Sequence, residues 1–510
     1  MPRYAAIDIG SNSIRMEVAE KTPGSAMRIM ASEREVTRLG ESVFRTGKLG
    51  REAMDLTCQT LARMAAQYEK LDVAGVRAVA TSAVRDARNQ AEFVERAARA
   101  ARTTVDVISG REEARLIHLG VLSRWPLASR RALMIDVGGG SVEIIASENG
   151  RMLDAVSKPL GAVRLREMFL AGDPPAELEL RRMHEFIVEK LDGVARRFGS
   201  AHWDLAIATS ATACATACAI GGVSGSKADR VDRVRVSAAQ VRKLGKRLGS
   251  LDLAGRQRVK GIGPRRAEII VPGVGVLALV LEAFGLGSLH YSAAGVRDGI
   301  VADLAARGVG MQRAQLNPEQ RAEVQKLSVR YGVSRKHSRK VADLARGLFH
   351  SLQALHQLPL EMGKVLEAAA YLHDVGHYVS DLSHHKHSYY VVANSDMPGF
   401  TNRERELVAT LCRYHRKTLP APQHTTAQSL TGEEAQAVLR LIPILRLADS
   451  LDRSHTQRVE SVECKIGDGQ ATMQVTASAG IDLELWAVER AGEVFRQIYG
   501  LPVVFARNRK

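Results

Sequence analysis

Two short segments carry the residues best suited to chemistry, IDIGSNS at 7–13 and IDVGGGS at 135–141. In each, an aspartate (Asp8, Asp136) ends an apolar run and is followed, one residue later, by a turn of glycine, serine or asparagine. Glycine lets backbone N–H groups approach a ligand closely, and Ser and Asn side chains add neutral donors. Gly10, Ser11, Asn12 and Ser13 in one turn, and Gly138, Gly139, Gly140 and Ser141 in the other, are therefore candidate phosphate contacts. The strand-end carboxylate can hold a magnesium ion directly or through water. Two such turns face to face would grip consecutive phosphates from both sides. A chance Asp-x-Gly hairpin explains one copy; the repetition favours phosphate.

Other residues have the right chemistry but less pattern. ISGREEARL offers adjacent carboxylates, Glu112 and Glu113. Neighbours on a helix point about 100° apart, so only one can face a given site, and helical pattern alone does not choose. Arg85, in TSAVRDARN, could grip phosphate bidentately, although an arginine before a helix is commonly a surface residue. Glu143 follows Asp136 on the return strand of the second hairpin. Among 15 histidines, His337, the pair His373–Asp374, His387 and His415 form with Asp449 a set that suits divalent metal. His384, His385, His424 and His455 read as solvated loop residues.

These residues need elements to place them. The first unit reads as strand, polar turn, strand, then a helix over 51–71 and a strand leading into ATSAVRDARN. A strand near 104–108 precedes a helix at 111–122, and at 132 the pattern restarts with ALMIDVGGG. Duplication of an α/β half-domain explains this restart better than coincidence. Apolar periodicity lapses around 307–318, a helical, histidine-rich stretch follows to about 457, and the tail reads as short strands around one helix. The expected domains are 1–125, 126–310, 311–458 and 459–510.

Composition sets the outer bounds. A chain of 510 residues exceeds one core, and 45% hydrophobic with 25% charged residues is globular rather than disordered. No apolar run reaches the roughly 18–20 residues of a membrane span. The N-terminus enters a strand without a leader pattern, which predicts a cytoplasmic protein with no transmembrane anchor. Five scattered cysteines fit a reducing compartment, with Cys214 and Cys218 read as packing residues. Net charge of +16 attracts polyanions, but aromatic residues at 5% supply no stacking stripe, so no specific nucleic acid is expected.

With AAIDIGSNSIRMEV, ATSAVRDARN, ISGREEARLIHLGV, IDVGGGSVEI, GAVRL, ATSATA, RRAEIIVPG, YSAAGVRDG, SYYVVANSDMPGF and RYHRK in order along nearly the whole chain, the sequence resembles the exopolyphosphatase and guanosine-pentaphosphate phosphatase (Ppx/GppA) family. The resemblance implies a two-lobed, actin-like α/β core of duplicated ribonuclease-H-like halves, an all-α HD-like domain and a small α+β C-terminal domain. It places the catalytic carboxylate at Glu113, the phosphate-gripping arginine at Arg85, and magnesium and water at Asp136 and Glu143. Arg266, in RRAE, joins the phosphate contacts, with Arg297 beside it; a structural ion pair explains either as well. A monovalent cation such as potassium and a second divalent metal at the HD set (His337, His373, Asp374, His387, His415, Asp449) are further cofactor expectations. The HD set has three readings: a working metal site, a vestigial scaffold that binds polyphosphate, or a structural metal domain. The expected activity is release of orthophosphate from inorganic polyphosphate by water that Glu113 activates, in a homodimer. Guanosine pentaphosphate is the alternative substrate, and a non-catalytic polyphosphate or alarmone sensor the alternative of another class. A superfamily kinase would need an adenosine site, at which ATSATA and VPGVGVL only hint.

Overall fold

Strand β1 (Arg3–Ile9) is apolar on both faces and buried over most of its length, as a central strand must be. It pairs antiparallel with β2 (Ile14–Glu20), and β2 antiparallel with β3 (Arg28–Glu35). Helix α1 (Arg51–Lys70) carries the chain back so that β4 (Gly75–Ala80) lies parallel to β1. Helices α2 (Ser82–Asp86) and α3 (Gln90–Ala101) then lead to β5 (Val105–Val107), parallel to β4. The sheet order is β3-β2-β1-β4-β5.

The computed structural model describes residues 1–22, 24–199, 202–223, 231–307, 313–421, 423–424, 426, 430–478 and 480–508. After helix α4 (Gly110–Leu122), it repeats the first topology with β6 (Arg131–Val137), β7 (Val142–Glu148), β8 (Arg151–Lys158), β9 (Leu205–Thr209), β10 (Arg235–Ser237) and β11 (Ser288–Tyr291). The order β8-β7-β6-β9-β11 matches the first sheet strand for strand, and β10 is an added antiparallel edge. The restart at 132 is thus a repeat of topology as well as of motif. Alternate residues of β6 serve two cores. Leu133, Ile135 and Val137 face the helices over Glu177–Phe198 and Ile270–Ala283, while Ala132 and Met134 face α4.

Helix α4 starts at Ser109, whose Oγ accepts from the Glu112 N–H at 3.1 Å, a side-chain N-cap. Although it falls within 1–125, it packs on β7 and β8 of the second sheet. It also crosses α6 (Val296–Ala306), which packs on β1, β2 and β4 of the first; between them in sequence lies α5 (Ala162–Phe169). The crossing is made backbone to backbone. A Cβ at Gly120 would lie 2.1 Å from the Gly295 carbonyl oxygen, and one at Gly299 1.8 Å from that of Leu116. Buried ion pairs fasten it: Glu112 accepts from Arg77 at 2.9 Å and Arg115 at 2.7 Å, and Asp303 from Arg77 at 3.0 Å and Arg115 at 2.8 Å.

The chain divides into two compact units, Met1–Ala306 and Arg307–Lys510; the expected division at 310/311 lies outside the described residues. The second unit contains α7 (Pro318–Arg330), α8 (Arg335–Ser351), α9 (Met362–Leu372), α10 (His384–Ala393), α11 (Asn402–Tyr414) and α12 (Gly432–Ser450). The tail adds β12 (Val459–Gly467), β13 (Gln470–Ala477), α13 (Asp482–Tyr499) and β14 (Val503–Asn508). Val462, Met473 and Phe495 of this tail share one apolar core with the helices. No helix among the described residues is long and apolar enough to cross a membrane.

Candidate active site

Both glycine turns close alike: Gly10 N–H donates to the Ser13 carbonyl at 3.2 Å, and Gly138 N–H to that of Ser141 at 3.0 Å. Their tips meet. A Cβ on Gly139 would lie 2.9 Å from the Ser11 Cβ and 3.3 Å from the Asn12 nitrogen, so glycine permits the approach. Ser11, Ser13 and Ser141 are buried at this junction. The two sets of expected phosphate contacts, Gly10–Ser13 and Gly138–Ser141, therefore lie on either side of one cleft.

Strand register arranges the charged groups behind the turns. On the first sheet Asp8 stands opposite Arg15, and Arg15 opposite Arg34. On the second, Asp136 stands opposite Glu143, and Glu143 opposite Ser157, whose hydroxyl donates to Glu143 Oε1 at 2.7 Å. Glu113, in the first turn of α4, joins them, buried, with Oε2 lacking a hydrogen-bond partner. Glu112 points elsewhere, into the buried ion pairs at the helix crossing. Burial works to raise its carboxyl, but Arg115 and Arg77 outweigh it and hold the group below the usual range.

The cleft carboxylates do the opposite. Burial, and then the Glu143 charge, push Glu113 well above the usual carboxylate range, against the pull of Arg85. Burial pushes Asp136 up to about 8, helped by Glu143 and Asp8 and opposed by Arg15. Glu143 and Asp8 are also raised by burial, with hydrogen bonds from Ser157 and Ser141 drawing Glu143 back and Arg15 and Arg297 drawing Asp8 back. Carboxylates raised by burial and by one another's charge form a ready oxygen site for a hard divalent cation. The residues fit magnesium.

Cations border this acidic group. Arg85 donates to the Ile108 carbonyl at 2.6 Å and lies 3.6 Å from Glu113 Oε2. Burial and then Arg297 and Arg34 lower Arg15 to about 10; burial and then Arg15 and Arg34 lower Arg266 to about 9. Arg297 is tied to Glu17 at 3.5 Å, whereas among the described residues no ion pair engages Arg266. Two features escaped the sequence reading. Arg15 stands to Asp8 as Glu143 stands to Asp136, so aligning the repeats would have found it. Arg164, in the GAVRL segment, donates to the Gly140 carbonyl at 2.7 Å and to Ser82 Oγ at 3.0 Å, with its guanidinium 3.9 Å from the Phe44 ring centroid.

In the second unit His337, His373, Asp374, His415 and Asp449 do converge. His387 does not. It is half-buried on α10, and His384, one helical turn earlier, is buried and lies 3.5 Å from Asp374 in its place. His384 and His385 are thus not solvated loop residues: the polar run SHHKHS starts a helix whose first turn faces inward. His424 is half-buried against Tyr414, and exposed His455 stacks on His337 with ring centroids 3.7 Å apart.

The fold is thus a duplicated α/β core whose two lobes meet at the glycine turns. The model of the Ppx/GppA phosphatase family matches residues 17–307, and that of Ppx/GppA phosphatase, domain III, residues 320–485. This chain belongs to the Ppx/GppA phosphatase family. A curated relative from Aeromonas hydrophila, guanosine-5'-triphosphate,3'-diphosphate pyrophosphatase, is 26% identical over 89% of this chain and 88% of its own length. The crystal structure of the Aquifex aeolicus Ppx/GppA family member is 30% identical, with a TM-score of 0.53, covering 59% of this chain and 97% of that one. An exopolyphosphatase from Cytophaga hutchinsonii, 24% identical over 59% of this chain and 97% of its own, shares the fold with a TM-score of 0.56.

Proposed function

We propose that this chain hydrolyses phosphoanhydride chains, releasing terminal orthophosphate from inorganic polyphosphate, with Glu113 as the base for the attacking water. The observation that carries the reading is the buried, unpartnered Oε2 of Glu113, facing Arg85 at 3.6 Å among Asp8, Asp136 and Glu143. Backbone N–H groups of the two turns hold the terminal phosphates, and Arg85 neutralises charge that develops on the phosphoryl oxygens. Asp136 and Glu143, with Asp8, would hold a magnesium ion, which would supply further neutralisation and favour the ionised form of these carboxylates. Glu113 then orients water in line with the terminal phosphorus and takes its proton.

The cluster of Arg15, Arg34 and Arg266, which no ion pair engages among the described residues, supports a polyanionic substrate longer than the reacting phosphate. Similarity to the Aeromonas hydrophila pyrophosphatase supports a second reading, removal of a phosphate from guanosine pentaphosphate. The test compares orthophosphate release from long polyphosphate, short polyphosphate and guanosine pentaphosphate, with magnesium, in wild type and in Glu113→Gln. Hydrolysis that Glu113→Gln abolishes while binding persists supports the assignment. Unchanged release by that variant sinks the base, and binding without turnover in wild type favours the sensor.

A further inference from the structure

A cavity of about 320 Å³ opens in the second unit between α7, the start of α8 and the end of α9. It shares no lining residue with the lobe cleft or the histidine cluster. Arg335, Lys336 and Arg339 give it a cationic wall, and among the described residues no ion pair engages any of the three. The acids on the neighbouring turns are occupied elsewhere. Asp343 accepts from Arg346 at 2.7 Å, and Glu367 from Arg321 at 2.9 Å.

These charges work against the helix that carries them. Arg335 and Lys336 lie in the first turn of α8, where the helix dipole favours negative charge. Arg339 stands four residues from Arg335, a spacing at which like charges repel. In the same turn α7, α11 and α12 carry glutamates instead, Glu319, Glu404 and Glu433. An anion seated in the cavity would offset both losses.

Neutral donors complete the wall. Ser328 is 1% exposed, and its Oγ has no hydrogen-bond partner, a loss that a ligand oxygen would recover. The Tyr371 hydroxyl accepts from Gln325 Nε2 at 3.3 Å, which leaves its own proton to donate. Burial pushes the Tyr371 pKa up, so that proton is retained. Among the described residues no acidic or aliphatic side chain lines the cavity, and Tyr371 is its only ring. Cations with hydroxyl donors, and no acceptor side chain but an amide, select an oxyanion. A single phosphate group carries about −1.5 to −2 charge at pH 7, so three cations match a diphosphate more closely.

We propose that this cavity binds a diphosphate group, gripped by Arg335, Lys336 and Arg339 over the Ser328 hydroxyl. Free pyrophosphate and the diphosphate of a nucleotide are its two sources. With no aliphatic wall to bury a nucleoside, the site is indifferent to what the diphosphate bears.

Hydrogen–deuterium exchange of the full chain, read peptide by peptide with a chelator present, separates this cavity from the lobe cleft. Pyrophosphate should slow exchange in peptides spanning 325–340, and ADP should do so at a similar concentration. Orthophosphate should need about ten-fold more, and sulfate at equal ionic strength should have no effect. Arg339 is exposed, so Arg339→Gln spares the fold; it should weaken the response to pyrophosphate about 10–100-fold, as loss of a charged hydrogen bond does. Ser328→Ala should weaken it a few-fold without lowering the melting temperature of the ligand-free protein. No slowing at 325–340, equal slowing by sulfate, or an unchanged response in Arg339→Gln overturns the site. Equal potency of orthophosphate overturns the diphosphate, a response to ADP alone overturns the indifference to its bearer, and an unchanged response in Ser328→Ala overturns the role of that hydroxyl.

Discussion

Beside the hairpin of the first lobe the cross-strand row runs Asp8, Arg15, Arg34; beside that of the second it runs Asp136, Glu143, Ser157. The turns close with the same hydrogen bond, and the sheets have the same order. Duplication has therefore kept the backbone and divided the charge. Like charges directly opposite one another cost a few tenths of a kcal/mol to about 1 kcal/mol, so facing arginines and facing carboxylates are both local losses. A bound phosphate chain relieves the first and a divalent cation the second. In the proposed function, one lobe serves the anion and the other the metal.

The sharpest way to break the division is to remove the group that serves both. Glu113→Gln should lower kcat about 10³-fold, within the range for a lost general base, and leave KM unchanged in phosphate-release kinetics. Next comes the anion side. Arg15→Met should raise KM about 10–100-fold, the equivalent of one charged hydrogen bond, with little change in kcat; an effect on kcat alone would dissolve the contrast between the lobes. The metal side shows in stability. Because burial raises Asp136 to about 8 from an ordinary value near 3.8, the folded state without metal binds the extra proton. Stability of chelator-treated protein is then greatest below about pH 4 as far as this group is concerned, and falls as pH rises through about 8. Asp136→Asn should flatten that decline in thermal melts between pH 5 and 8. The smallest effect belongs to Ser157→Ala. Losing the 2.7 Å bond that draws Glu143 down raises that carboxyl further, and should move the acid limb of the rate profile upward with a loss of only a few-fold.

Features set by local sequence were legible: the strand-turn-strand hairpins, their repetition, and helix α4 with its serine cap. The choice between Glu112 and Glu113 was not, because Arg77 and Asp303, which with the neighbouring Arg115 take Glu112 out of the cleft, come from far along the chain. The same holds for α4, whose seat on the second sheet no periodicity within 1–125 reveals. Arg15 and Arg34 look like ordinary strand cations until register sets them opposite each other. In the second unit the HD pair is evident, but SHHKHS has no apolar period to show where its helix begins, so nothing local tells that His384 rather than His387 faces Asp374.

The glycine crossing of α4 and α6 has a mechanical consequence. One helix seats the second sheet and the other the first, with no side chains between their backbones at Gly120 and Gly299. The contact works as a bearing, and its thickness gauges the gap between the lobes. A methyl group at Gly299 would be a shim, prising the sheets apart and lifting Gly139 from Ser11 while each lobe kept its own internal arrangement. Loss of turnover through such a change would register as a failure of fit between two sound halves.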